Sequence, residues 1–143
     1  MNFKKIILTL SIVLLCTVFS FAQNVQVVVE VTNVVINDGK VHCAVFFNAD
    51  EFKREEPTIA FELDSTSAVL TYVVTLPPGE YVVSAFQDRN GNMECDFRGL
   101  FPTELVAISN YSGRGFPSRN FNRQKVLINS ATGRVSIGLY MLR

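Results

Sequence analysis

Leu76-Pro77-Pro78-Gly79-Glu80-Tyr81-Val82-Val83-Ser84-Ala85-Phe86-Gln87-Asp88 is a turn, then a strand, then the first residue of a polar loop. Proline fixes φ and removes an N–H, and glycine permits positive φ, so Pro77-Pro78-Gly79 predicts a tight turn that reverses the chain. Tyr81 to Phe86 is a β-rich apolar run, and Ala68 to Leu76 on the other side of the turn is another.

Moving outward, no long stretch has the period of a helix. Val25 to Val31 is a β run with Gln26 and Glu30 on one face, and Asn37-Asp38-Gly39 is a turn signal. Lys40 to Phe47 follows and is expected to be the antiparallel partner of the first run. Thr58 to Leu63, Lys125 to Ile128 and Arg134 to Leu142 complete the set, with Ala131-Thr132-Gly133 as the turn between the last two. Asn48 to Pro57 is a charged connection, either a loop or one helical turn. This pattern predicts an all-β chain: a single antiparallel β-sandwich of about seven strands, immunoglobulin-like or transthyretin-like. Residues 97–122, rich in Gly, Asn, Ser, Arg and Phe, read as a long loop insertion, and connections of that length in a compact domain carry function or are mobile.

Residues 1–22 read as a signal peptide. Lys4 and Lys5 give a positive start, Ile6 to Phe19 is almost wholly apolar, and Ser20-Phe21-Ala22 suits cleavage before Gln23. The apolar run is shorter than the roughly 20 residues a bilayer span needs, and the bulky Leu15 argues against lipidation at Cys16. The expected mature chain, residues 23–143, forms one sandwich domain with no transmembrane segment, exported to the periplasm or the extracellular space. It holds 11 basic residues (13 less Lys4 and Lys5) and all 13 acidic ones, a formal charge of −2. That near balance excludes nucleic acid as an expected partner, since phosphate binding needs an excess of Lys and Arg on one face. Cys43 and Cys95 remain after cleavage. An oxidising compartment permits their pairing, whereas a core strand and a polar loop suit two separate thiols.

Chemistry concentrates in Asp88-Arg89-Asn90-Gly91-Asn92-Met93-Glu94-Cys95-Asp96. Asp88, Asn90, Asn92, Glu94 and Asp96 place an oxygen-bearing side chain at every second residue, the supply a Ca²⁺ ion with six to eight oxygen ligands draws on. An EF-hand would have glycine at the sixth position and a bidentate glutamate at the twelfth, where Met93 and Gly99 stand, so the stretch is no EF-hand. Glu104 or backbone carbonyls are the remaining sources of a bidentate ligand. Two readings stand: a structural Ca²⁺ loop with an affinity on the order of 10⁻⁴ to 10⁻³ M, and an Asx-rich turn without metal. His42, the one histidine, neighbours Cys43 in a strand, so the two side chains take opposite faces and form no nucleophile–base pair. No Gly-x-Ser-x-Gly elbow is present, zinc chemistry lacks its ligands, and nothing marks Glu51, Glu55 or Glu56 for glycoside hydrolysis. In the 97–122 segment, Asn110, Tyr111 and Arg114 are candidate ligand-binding residues. Arg114 lies between two glycines, where backbone and guanidinium can both approach a ligand. Phe116 and Phe121 are expected to anchor the segment.

The Leu76–Tyr81 turn, the stretch Phe86-Gln87-Asp88-Arg89-Asn90-Gly91-Asn92 and the stretch Ser109-Asn110…Gly113-Arg114-Gly115-Phe116, in that order, resemble the secreted bacterial proteins of domain-of-unknown-function family 2141. The resemblance covers about Val25 to Leu142. It implies a small secreted or periplasmic β-sandwich and brings no established activity. Members read Asp-x-Asn-Gly-Asn-Gly-x-x-Asp through the polar loop; this chain matches at Asp88, Asn90, Gly91, Asn92 and Asp96 and departs at Met93, where the family has a second glycine. The function expected is that of a non-catalytic module of the bacterial envelope, Ca²⁺-stabilised, that binds an envelope protein, a glycan or a small ligand through its loops. An envelope-associated hydrolase is the alternative, and a structural or assembly subunit is a third reading.

Overall fold

Valines at every second position drive the architecture, because alternate residues of a strand share a face and branched side chains suit a pleated, half-buried surface. A computed structural model describes residues 23–142, so the signal peptide expected at residues 1–22 lies outside the described residues. In chain order the elements are β1 (Val25–Thr32), β2 (Lys40–Phe46), α1 (Ala49–Arg54), β3 (Ile59–Asp64), β4 (Leu70–Leu76), β5 (Gly79–Asp88), β6 (Phe97–Arg98), β7 (Phe101–Pro102), β8 (Leu105–Ile108), α2 (Phe121–Gln124), β9 (Val126–Ile128) and β10 (Arg134–Gly138). One sheet has the order β10-β1-β4. The other has the order β3-β2-β5-β8, with β9 pairing the first residues of β5, and β6 and β7 form a separate hairpin.

The two larger sheets face each other across one core. Val27, Val29 and Val31 of β1, Val74 and Leu76 of β4, and Val135 and Ile137 of β10 meet Val41, Cys43 and Val45 of β2 and Tyr81, Val83 and Ala85 of β5. Burying each such valine contributes about 1.5 to 3 kcal/mol relative to leaving it in water. The all-β sandwich expected from the sequence is therefore the observed fold. Every described strand expected from the sequence is present, and the 97–122 segment adds β6, β7 and β8.

Neighbour relations differ from expectation in three places. β2 is not the partner of β1: β1 pairs β4 from Val25↔Leu76 to Val31↔Leu70, and β2 pairs β3 and β5. The connection at residues 33–39 crosses from one sheet to the other. It is held there by the Gln87 side chain, whose Nε2 donates to the carbonyls of Val35 and Asp38 and whose Oε1 accepts from the Val35 N–H. The Pro77-Pro78-Gly79 turn likewise joins strands of different sheets. Gly79 is not among the residues with positive φ. Instead the Tyr81 hydroxyl donates to the Pro77 carbonyl at 2.7 Å, a corner like the one immunoglobulin-type sandwiches build with tyrosine. A Cβ at Gly79 would meet that hydroxyl at 3.3 Å, so glycine gives the tyrosine its room. Finally, β1 and β10 run parallel, with Val28↔Arg134 to Thr32↔Gly138 in register, an exception in an otherwise antiparallel sandwich.

Residues 97–122 are only partly loop. β8 pairs β5 from Ser84↔Ile108 to Gln87↔Leu105 and is a working strand of the main sheet. Tyr140, past the end of β10, exchanges backbone hydrogen bonds with Val106 and links the two sheets along that edge.

Candidate functional site

β5 delivers Gln87 and Asp88 in succession to the end of the main sheet, and both are buried, Asp88 to 2% exposure. A buried carboxylate must be paired or hydrogen-bonded. Asp88 Oδ1 accepts the Gly91 N–H at 2.7 Å and Oδ2 accepts the Met93 N–H at 2.8 Å, while His42 Nε2 lies 3.3 Å from Oδ2. Burial pushes the Asp88 carboxyl up, but the N–H groups of Met93 and Gly91, with His42 and Asn92, outweigh it and hold the group below the usual aspartate range. The Asp88 backbone is equally constrained. Gly39, at φ +82°, lies so close that a Cβ there would fall 1.8 Å from the Asp88 carbonyl oxygen, so only glycine fits.

The rest of the loop closes on Asp96. Asn90 Nδ2 donates to Asp96 Oδ2 at 2.6 Å, and Asn92 Nδ2 donates to both Asp96 oxygens at 3.1 Å. The carbonyl oxygens of the same amides accept the N–H groups of Asn92 and Glu94, two successive Asx turns. Glu104, only 3% exposed, clasps the base of the loop: its oxygens accept the N–H groups of Arg89 at 2.8 Å and Asp96 at 3.4 Å. The Thr103 N–H donates to the Asp96 carbonyl at 2.8 Å. Asp88, Asn90, Asn92 and Asp96 are thus in one network, which the Glu94 side chain leaves for solvent while its N–H stays inside.

Every donor in this set is oxygen, the chemistry a hard cation requires. Two carboxylates, Asp88 and Asp96, supply the charge, and Asp88 already serves the loop backbone. A cation at Asp96 would take the place of the Asn90 and Asn92 amide hydrogens. Among the described residues no group of three or more His, Cys, Asp or Glu side chains is arranged to hold a metal. Glu104, the bidentate ligand considered from the sequence, is committed to backbone N–H groups instead.

His42 sits on the outer face of β2, opposite Phe86 and Glu62 in register, and its ring stacks on Phe86 at 5.0 Å. Cys43 points the other way, into the core. Among the described residues the two cysteines, Cys43 and Cys95, are free, and each thiol is pushed up to about 12, Cys43 by burial and Cys95 by burial with the charges of Glu104, Asp96 and Glu55 added. Both stay protonated at neutral pH.

The second group singled out from the sequence divides. The Asn110 amide donates to the Lys125 carbonyl at 2.7 Å, and the Tyr111 hydroxyl to the Gly115 carbonyl at 2.6 Å. The Tyr111 ring meets Tyr140 edge-on at 5.7 Å. Both side chains therefore hold the segment to the body. Arg114 is exposed, and Gly113 at φ +80° lies directly against the Tyr140 ring. Phe121 meets Phe52 at 6.4 Å, but Phe116 is 57% exposed and anchors nothing in the core. Sequence reasoning missed the contact between His42 and Asp88 and the role of Gln87; pairing of β2 with β5, not any motif, brings the first two together.

The model of a family described as "Uncharacterized protein conserved in bacteria (DUF2141)" matches residues 29–136. The chain belongs to this family. The match runs from within β1 to within β10, so it takes in strands of both sheets, the tyrosine corner and the whole Asp88–Asp96 loop. No curated protein and no solved structure matches the chain. Where the family resemblance calls for a glycine, Met93 holds φ at +67°. The departure is thus in the side chain alone: the backbone keeps the left-handed form that glycine adopts freely.

Proposed function

We propose that the protein is an exported, non-catalytic β-sandwich module of the bacterial envelope. Its Asp88–Asp96 loop takes a structural Ca²⁺, and its loops bind an envelope protein, a glycan or a small ligand. The observation that carries the Ca²⁺ reading is the convergence of the Asn90 and Asn92 side chains on Asp96 while Asp88 gathers the Gly91 and Met93 N–H groups. Displacing the Asn90 and Asn92 amide hydrogens from Asp96 would free its two oxygens for a hard cation. Calorimetric titration of CaCl₂ into the chain from Gln23 onward tests this: a dissociation constant of about 10⁻⁴ to 10⁻³ M is expected, with the heat abolished in Asp96→Ala. Absence of heat from the wild-type protein rejects it.

Export rests on the charged, apolar and small-residue sequence of residues 1–22. Recovery of the protein in the osmotic-shock fraction, shortened to Gln23, is the expected result, and retention of the intact chain in the cytosol contradicts it.

The hydrolase alternative draws on one observation, the 3.3 Å approach of His42 to Asp88. A histidine–carboxylate pair orients a general base when a nucleophile lies on its far side. On that side of His42 is another carboxylate, with Glu62 Oε2 3.9 Å from Nδ1, which suits charge balance rather than nucleophile activation. A His42→Ala protein that loses hydrolysis of a simple aryl ester, shown by wild type above background, would favour the enzyme reading.

A further inference from the structure

Large apolar side chains grouped together in water mark an interaction surface, whereas single exposed ones do not. Leu100 is 83% exposed, Phe97 60%, Phe116 57% and Phe101 40%. They belong to one feature. The β6–β7 hairpin pairs Phe97 with Pro102 and Arg98 with Phe101, leaving Gly99-Leu100 at its tip, and the Phe101 ring meets Phe116 at 5.0 Å. Arg98 stands opposite Phe101 in register, and Arg114 lies two residues before Phe116. Among the described residues the arginines in ion pairs are Arg54, Arg89, Arg119 and Arg134, so Arg98 and Arg114 keep their charge for a partner. Of the acids in the preceding loop and at its base, Asp88 and Glu104 are buried against backbone N–H groups, Asp96 is held by Asn90 and Asn92, and Glu94 is exposed.

We propose that this hairpin and the Gly113–Phe116 segment dock the protein on the surface of an anionic lipid bilayer, with Leu100 and the phenylalanine rings entering the headgroup boundary and Arg98 and Arg114 meeting lipid phosphates. The shape favours lipid over protein. Leu100 rides on the tip of a two-strand hairpin and has little protein around it, and a bilayer moulds to such a projection where a protein surface must offer a matching hollow. Interfacial binding of this kind sums buried apolar area with attraction of basic residues to anionic headgroups. The surface lies outside the Asp88–Asp96 network and does not require the Ca²⁺ reading.

Co-sedimentation tests it, with the chain from Gln23 onward, which contains the whole described fold, and vesicles of phosphatidylcholine alone or mixed with phosphatidylglycerol. Each mixture is run with EDTA and with Ca²⁺. Wild type should sediment with the mixed vesicles in both solutions. Leu100→Glu should remain in the supernatant, with an unchanged melting temperature because the side chain is exposed. Arg98→Gln with Arg114→Gln should weaken binding to the mixed vesicles about thirty-fold, two basic residues' worth of attraction. Failure of wild type to sediment, equal sedimentation with both lipids, or Leu100→Glu behaving as wild type overturns the proposal. So does a self-associated protein in size-exclusion chromatography that Leu100→Glu converts to monomer, since that assigns the face to a second copy.

Discussion

At the scale of single residues, Asp88 and Met93 define the loop between them. Asp88 was legible as the head of an oxygen-rich run, but its burial and its contact with His42 were not, because they depend on which strands lie side by side. Gln87 was less legible still: alternation places it on a strand, and nothing local says that its amide secures residues 33–39 of a different connection. Met93 departs from the family pattern, and the structure gives the departure a physical meaning. An L-residue in the left-handed region carries a steric penalty of about 1 to 2 kcal/mol that glycine escapes, partly offset by glycine's greater freedom in the unfolded chain. With Met93 71% exposed and at φ +67°, Met93→Gly loses little packing. It should raise stability by about 1 kcal/mol in urea unfolding, and a loss of stability would show that the methionine side chain has a role of its own.

At the scale of elements, strands were legible and their neighbours were not. The alternating valines of β1 and β2 announce two half-buried strands, yet period-two patterning says which face is inward and is silent on which strand lies alongside. Hence β1 sits beside β4 and β10 instead of β2. β8 is not legible in the sequence because Leu105 to Ile108 is short and lies in a segment rich in Gly, Asn and Ser. The Leu76–Tyr81 turn was found, and its mechanism lay in the tyrosine rather than the glycine. Tyr81→Phe keeps the ring against Phe47, 4.9 Å away, and removes only the hydrogen bond to Pro77. It should cost about 1 kcal/mol, read as a lowered urea midpoint at constant slope. An unaltered midpoint would show that the prolines alone hold the corner.

At the scale of the molecule, the sandwich provides the frame and the Asp88–Asp96 loop reports on it through the buried Asp88. Because the folded protein holds that carboxyl below its ordinary value, its contribution to stability is complete above the unfolded pKa of about 3.9 and is lost as pH falls through the lower folded value. Stability should therefore drop below about pH 4, and Asp88→Asn should flatten that part of the profile; an identical acid limb in the variant would assign the loss to other carboxylates. The overall fold was legible because a sandwich needs only inward-facing alternation and turns, both local properties. The site was legible in composition alone, since the geometry that joins Asp88, His42 and Glu104 is non-local. The most direct test of the loop as a structural cation site is a thermal melt of the chain from Gln23 in EDTA and in Ca²⁺ at about ten times the dissociation constant, where a bound ion adds about 1.4 kcal/mol. The account predicts a melting temperature roughly 5 °C higher with Ca²⁺, and no difference in Asp96→Ala. A wild-type melting temperature that is the same in both solutions would contradict it.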